Sequence, residues 1–175
     1  VHDGFYLRTS VGLVTARTYV TSDEITHPSY TVKGGGIGFD LMVGGSPSPG
    51  LALGGALSLQ SFGHGGGSTS GLALLGAFVD GFPMPNRGLH LGGMLGLAAA
   101  RTGRPSGVDE LDARGFGMSV WGGGDFWVAD EWSLGGLLRL SGALTRDGSH
   151  DEGPAPFELE SSSYELAFLF SVLYH

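Results

Sequence analysis

Six histidines are where catalysis would be sought in a chain that has no cysteine. His64 lies in Gly-His-Gly-Gly-Gly with Ser68 just behind it, and His150 follows Ser149 in an acidic stretch. A His beside a Ser can activate the hydroxyl for attack on an ester or acyl group, provided a carboxylate orients the imidazole. Neither pair has such a carboxylate at a convincing spacing. His2 and His175 are terminal, His27 falls in a polar stretch, and His90 sits in an apolar alternating segment. None of these spacings gives the HxH or HExxH pair that would seat zinc. The absence of cysteine excludes thiolate sites and disulfides. Gly34-Gly35-Gly36 is not a phosphate loop, since no helix pattern follows it. The residue types therefore predict no catalytic residue, no metal site and no cofactor.

The acidic residues offer one weak ligand chemistry. Asp109, Glu110 and Asp112, and Asp151, Glu152, Glu158 and Glu160, could hold Ca²⁺ through oxygen ligands, but they lack EF-hand spacing. Solvated acidic loops are the simpler reading. A net charge of −8 also lacks the basic footprint that nucleic acid requires.

What positions these residues is a series of alternating segments. Eight stand out: Gly4–Ala16, Tyr30–Gly44, Leu51–Phe62, Gly71–Phe82, Leu89–Arg101, Ala113–Val128, Trp132–Leu144 and Ser163–Tyr174. Each is long enough for a tilted strand to cross a bilayer. No apolar run approaches the roughly 20 residues of a membrane helix. The connections Ser46–Gly50, Pro83–Gly88 and Ala129–Glu131 are short and rich in turn residues. Arg17–Ser29, Gly63–Ser70, Thr102–Asp112 and Thr145–Ser162 are longer and polar. This alternation describes an up-and-down antiparallel meander with both termini on the short-turn side. No leader precedes Val1-His2-Asp3-Gly4, and the chain reads as the product of signal-peptide cleavage.

Glycine is abundant, at 34 residues, and part of it repeats. Leu51–Leu59, Leu89–Leu97 and Trp132–Leu140 share a Leu-Gly-Gly core with flanking leucines, one copy per hairpin. Small residues at one depth would let a narrow barrel coil tightly.

The identities on the second face of each strand decide which side meets lipid. Phe5, Leu7, Val11 and Leu13 oppose Tyr6, Arg8, Ser10 and Gly12; Leu134, Leu138 and Leu140 oppose Ser133, Gly135, Arg139 and Ser141. A soluble barrel would carry Lys, Glu and Thr on that second face. Here it is mainly Gly, Ala and Ser with isolated charges, and the chain has a single lysine, Lys33. That composition suits a cramped polar interior, and the Leu/Phe/Val face suits lipid. Strand four alone is ambiguous, with Leu72 and Leu74 on one face and Leu75 and Val79 on the other. Aromatic residues gather at two levels. Phe5, Phe82, Phe126, Trp132 and Tyr174 lie near short turns, and Tyr30, Phe62, Phe116 and Tyr164 near long connections, as interfacial girdles would.

Arg8, Asp40, Asp125, Arg139 and Glu165 fall on the small-residue face. Buried charges must be paired, because desolvating a lone one costs several kcal/mol. Counting inward from the short-turn ends predicts an Arg139–Glu165 ion pair between neighbouring strands, and a lower cluster joining Arg8 to Asp40 with Asp125 beside it. Tyr6, Met94, Trp121 and Trp127 also point inward and would fill the lumen, as side chains do in eight-stranded barrels. On the outer face, Gly93, Gly122, Gly124 and Gly136 would form a shallow smooth patch.

Hairpin spacing, alternation and the aromatic final strand Tyr164–Tyr174 together resemble the small eight-stranded bacterial outer-membrane barrels, the OmpA transmembrane domain and OmpX-like superfamily. That strand is similar to the C-terminal signal of such proteins, which usually finishes on Phe or Trp; here the ending is Leu173-Tyr174-His175. The resemblance implies one domain over residues 1–175, an outer-membrane location, periplasmic termini and four extracellular loops. It implies lipid and lipopolysaccharide as surroundings, and roles such as anchoring, adhesion or complement evasion. The expectation is thus a non-enzymatic anchor or surface-interaction protein. A subunit docking another envelope or surface protein through the glycine patch comes second. A lipid A-modifying enzyme, as some eight-stranded barrels are, is disfavoured by the unsupported His/Ser pairs.

Overall fold

Each alternating segment becomes one strand: β1 (Phe5–Ser22), β2 (Tyr30–Ser48), β3 (Leu51–His64), β4 (Ser68–Met84), β5 (Leu89–Thr102), β6 (Leu111–Trp127), β7 (Trp132–Asp147) and β8 (Leu159–Tyr174). The computed structural model describes residues 4–22, 29–64, 68–84, 88–102, 111–147 and 159–174. Neighbours in sequence pair antiparallel, and β8 closes on β1, so no sheet edge remains. Closure matters in lipid, where an unpaired edge would leave backbone groups without water to satisfy them.

Most strands run beyond the segments read from alternation. β2 absorbs Ser46–Ser48, and only residues 65–67 separate β3 from β4. Most of the expected long connection Gly63–Ser70 is therefore strand, and the other three expected long connections lie partly outside the described residues. At the other end, Gly50 and Gly88 take φ of 78° and 66° in the turns, a conformation other residues adopt at a cost.

The pairing register fixes the shape. A row of directly paired residues starts at Leu7 and passes Val43, Gly55, Ala77, Leu95, Met118, Gly142 and Tyr164. It returns to β1 at Arg17, ten residues beyond its start. Such a stagger tilts eight strands by roughly 40°. Each step along a row climbs slightly more than one residue toward the long-connection end. Residues on opposite walls therefore share a level only once that climb is added.

The Leu-Gly-Gly repeat has a divided purpose. A Cβ on Gly54 would lie 2.1 Å from the Val43 carbonyl oxygen, and on Gly135 2.1 Å from an Asp125 carboxylate oxygen. On Gly92 it would meet the Trp121 ring at 2.5 Å. The first glycine of each pair thus faces inward, at a sharp backbone corner or beneath a large buried group. The second faces outward: at Gly55 the nearest atom to an added Cβ is 4.0 Å away. Gly54→Ala is expected to lower unfolding stability by about 1–3 kcal/mol, because backbone must shift to admit the methyl. Gly55→Ala should stay within about 0.5 kcal/mol of the parent. Urea unfolding of both variants in the same lipid checks the contrast.

β4 resolves its ambiguity by facing Leu72, Leu74 and Phe78 inward and Leu75 and Val79 outward. The barrel buries charges and exposes large apolar side chains, while an apolar cluster that includes Leu74, Leu137 and Leu169 also packs inside. Arg8, Asp40, Asp80 and Arg139 are fully buried, whereas Leu13 and Leu95 are 71% and 68% exposed.

Candidate functional site

The inward charges form two clusters, and both join opposite walls of the barrel. In the lower one, Arg8 on β1 donates from Nη2 to Asp125 Oδ2 on β6 at 2.7 Å and lies 3.6 Å from Asp80 Oδ2 on β4. Its Nη1 meets His90 Nε2 on β5 at 2.8 Å. Arginine can only donate, so Nε2 accepts; the ring proton sits on Nδ1 and goes to Asp80 Oδ1, 3.1 Å away. Asp80 also accepts from the Tyr6 hydroxyl at 2.8 Å and from Trp121 Nε1 at 3.2 Å. One carboxylate is thus held by four side chains from three strands, β1, β5 and β6. Phe82 stacks on His90 with ring centroids 5.4 Å apart and closes this layer toward the short turns.

The second cluster lies higher. Arg139 on β7 donates from Nη1 to Asp40 Oδ1 on β2 and to the Ser58 hydroxyl on β3. Ser58 donates to Asp40 Oδ1 at 2.5 Å. Gln60 accepts from Arg139 Nη2 at 2.6 Å when its amide nitrogen turns to the Leu72 carbonyl at 2.8 Å, an orientation that satisfies both ends. Above this level the interior carries hydroxyl pairs, Thr18 with Ser163 at 2.9 Å and Thr145 with Ser161 at 2.6 Å.

Two pairings expected from the sequence are corrected. Arg139 pairs with Asp40 rather than Glu165, and Arg8 pairs with Asp125 and Asp80 rather than Asp40. The stagger supplies the reason. It brings Arg139 level with Asp40 on the far wall and raises Glu165 roughly three residue steps above both. Glu165 is buried with its Oε1 lacking a hydrogen-bond partner among the described residues. Asp80 and the role of His90 escaped the sequence reading. Asp80 shares a parity with Leu72 and Leu74, but the face of β4 was undecided without its neighbours.

Chemically, these clusters are braces. Tyr6, Arg8, Trp121 and Arg139 are at most 2% exposed. They occupy the barrel interior at the levels of the two clusters. Met94 points inward as expected, whereas Trp127 lies at the short-turn rim and is 41% exposed. Asp112 pairs with Arg101 at 3.6 Å and Glu160 with Arg146 at 2.8 Å on the outer surface. The side chains of His64 and Ser68, and residues His2, His27, Asp109, Glu110, Ser149, His150, Asp151, Glu152, Glu158 and His175, lie outside what is described.

The likeness to known proteins is one of shape. No protein-family model matches the sequence, and no curated protein matches it significantly. Among solved structures, Neisserial surface protein A (NspA) superposes with a TM-score of 0.58 at 16% identity, covering 97% of this chain and 96% of that one. OprG, an outer membrane protein of Pseudomonas aeruginosa, gives 0.53 at 11% identity over 99% and 98%. Ail, the attachment invasion locus protein of Yersinia pestis, gives 0.51 at 12% identity over 98% and 99%. The fold is that of a small outer-membrane β-barrel.

The lipid-facing wall of such a barrel should show an apolar band between two aromatic levels. Phe5, Phe126, Trp132 and Tyr174 face outward near the short turns, with Trp132 and Tyr174 at 5.0 Å and Phe5 and Tyr174 at 6.1 Å between ring centroids. Phe116 and Tyr164 face outward near the long connections, and Tyr19 joins Tyr164 at 6.3 Å. Register and tilt separate the two levels by roughly 25 Å, close to the height of the apolar band of such barrels. Three expected girdle members belong elsewhere. Phe62 is buried inside with Ala16 and Val32, Tyr30 packs against that group, and Phe82 caps the lower cluster. Each sits on the inward parity of its strand, which position along the strand does not reveal. Gly93, Gly122, Gly124 and Gly136 do face outward, beside Leu89, Leu91 and Phe168.

Proposed function

We propose that this protein resides in a bacterial outer membrane as a non-enzymatic barrel that anchors and presents surface loops, with both termini in the periplasm. The observation that carries the reading is the inverted burial: an exposed Leu/Phe/Val wall around a packed, charged interior. Such a surface is stable only against hydrocarbon. The likeness to NspA, a surface protein, and to Ail, an attachment invasion locus protein, supports a surface role. A braced interior supports anchoring over transport. The outward glycines of β5–β7 support a second reading, docking of another envelope or surface protein, which co-purification from native membranes would test.

The protein should fractionate with outer membranes, and unboiled and boiled samples should migrate differently on a denaturing gel. A monodisperse monomer in detergent-free buffer would end this reading. Protease added to intact cells should cut within 101–114 or 146–160 and spare Arg87. Cleavage at Arg87 with both long connections protected would invert the proposed orientation.

A further inference from the structure

The chain carries nine Lys and Arg against 17 Asp and Glu, yet its bases are not scattered. Arg8 and Arg139 are inside; Arg87 and Arg104 lie outside the described residues. The other five, Arg17, Lys33, Arg101, Arg114 and Arg146, all face outward. Adding the climb of the register puts all five within roughly two residue steps of one level, just beyond Phe116 and Tyr164. Two pairs sit directly opposite each other across adjacent strands, Arg17 with Lys33 and Arg114 with Arg146. Like charges so placed repel. Only Asp112 and Glu160 offset this belt among the outward-facing described residues, and both lie slightly farther out.

Between β6 and β8 the belt opens into a cavity with two chemistries. A notch of about 410 Å³ is lined by Arg114, Arg146, Thr145 and Glu160. Phe116 and Leu144 line it too, and the same two residues line an apolar notch of about 300 Å³ toward the membrane centre, with Leu95, Met118, Gly142 and Tyr164. Gly142 makes the lower notch: it faces outward between larger side chains, and an added Cβ would find nothing nearer than 3.9 Å. Arg146 spends one nitrogen on Glu160, while Arg114 makes no ion pair among the described residues. A paired guanidinium fork above an apolar slot matches a phosphate carried on an acyl chain.

From this we infer a lipid-binding site on β6–β8 that seats a phosphorylated glycolipid of the lipid A class. A phosphate lies between Arg114 and Arg146, and one acyl chain lies in the slot at Gly142. The inference rests on the orientation proposed above, which turns the long-connection end toward the outer leaflet. A seated phosphate relieves the Arg114–Arg146 repulsion, and the other bases of the belt extend the same attraction around the barrel.

The test uses the full chain in zwitterionic detergent, folded by the criterion of its heat-dependent gel shift. It is titrated with bisphosphorylated lipid A, with phosphate-free lipid A and with phosphatidylglycerol, and bound lipid is read by native mass spectrometry. The unaltered protein should bind the phosphorylated form on the order of tenfold or more tightly than either other lipid. Arg114→Gln with Arg146→Gln should abolish that preference, whereas Gly142→Leu should weaken both forms of lipid A and keep the preference. Equal binding of phosphorylated and phosphate-free lipid A, or equal binding of phosphatidylglycerol, overturns the site; so does an undiminished preference in the double variant. The comparison among lipids on the unaltered chain needs no variant to fold. A protein that shifts on the gel but ignores phosphate keeps the outer-membrane reading and loses only this site; one that never shifts loses the reading itself.

Discussion

Arg8→Met is expected to cause one of the two largest stability losses of any single change, about 3–5 kcal/mol. The guanidinium faces Asp125 at 2.7 Å and Asp80 at 3.6 Å, all in a layer closed by Trp121 and Phe82. Removing it leaves two buried carboxylates with only the His90 imidazole, 3.1 Å from Asp80 and 3.8 Å from Asp125, to offset them. Adding Asp125→Asn to the same chain should restore part of the loss, since an amide is far cheaper to bury than an unpaired carboxylate. Urea unfolding in lipid vesicles, followed by tryptophan fluorescence and by the gel shift, measures both. A loss below about 1 kcal/mol would mean that the layer is wet and the brace weak.

The second large effect should come from the pair that spans the barrel at mid-height. Arg139→Met and Asp40→Asn should each cost about 3–5 kcal/mol, and the double change should cost clearly less than their sum. The coupling arises because Arg139, Asp40 and Ser58 form one hydrogen-bonded unit, with Gln60 beside it. The matching cycle for Arg139 and Glu165 should show much weaker coupling, since no ion pair joins them. Strong coupling to Glu165 with none to Asp40 would restore pairing between neighbouring strands and refute the register described here.

The contrast between those two cycles shows what was legible before the barrel closed. Leu7, Val11 and Leu13 announce their face because alternation is a local property, set by the pleat of one strand. The same rule placed Arg8, Asp40, Asp125, Arg139 and Glu165 on the inner face, where the structure buries all five. It could not choose their partners. Nor could it place β4, where Leu72 and Leu75 pull the alternation in opposite directions, and with β4 went Asp80, the acceptor around which the lower cluster is organised.

Phe62, Phe82 and Tyr30 mark the same boundary from the outside. Their nearness to strand ends suggests a girdle, yet alternation within β3 and β2 already assigns Phe62 and Tyr30 to the inner face, and only Phe82 waits on the undecided face of β4. The belt of bases was equally hidden: Arg17, Lys33, Arg101, Arg114 and Arg146 are far apart in sequence and meet at one level only after the tilt is applied.

By itself, then, the amino-acid sequence determined eight crossing segments, an up-and-down order and which face of most strands seeks hydrocarbon, because each of these follows from contacts within a strand or a hairpin. The tertiary structure alone decided which charges meet across the lumen and which bases share a level. Those depend on the ten-residue stagger between Leu7 and Arg17, a property of closing β8 onto β1 that no single strand carries.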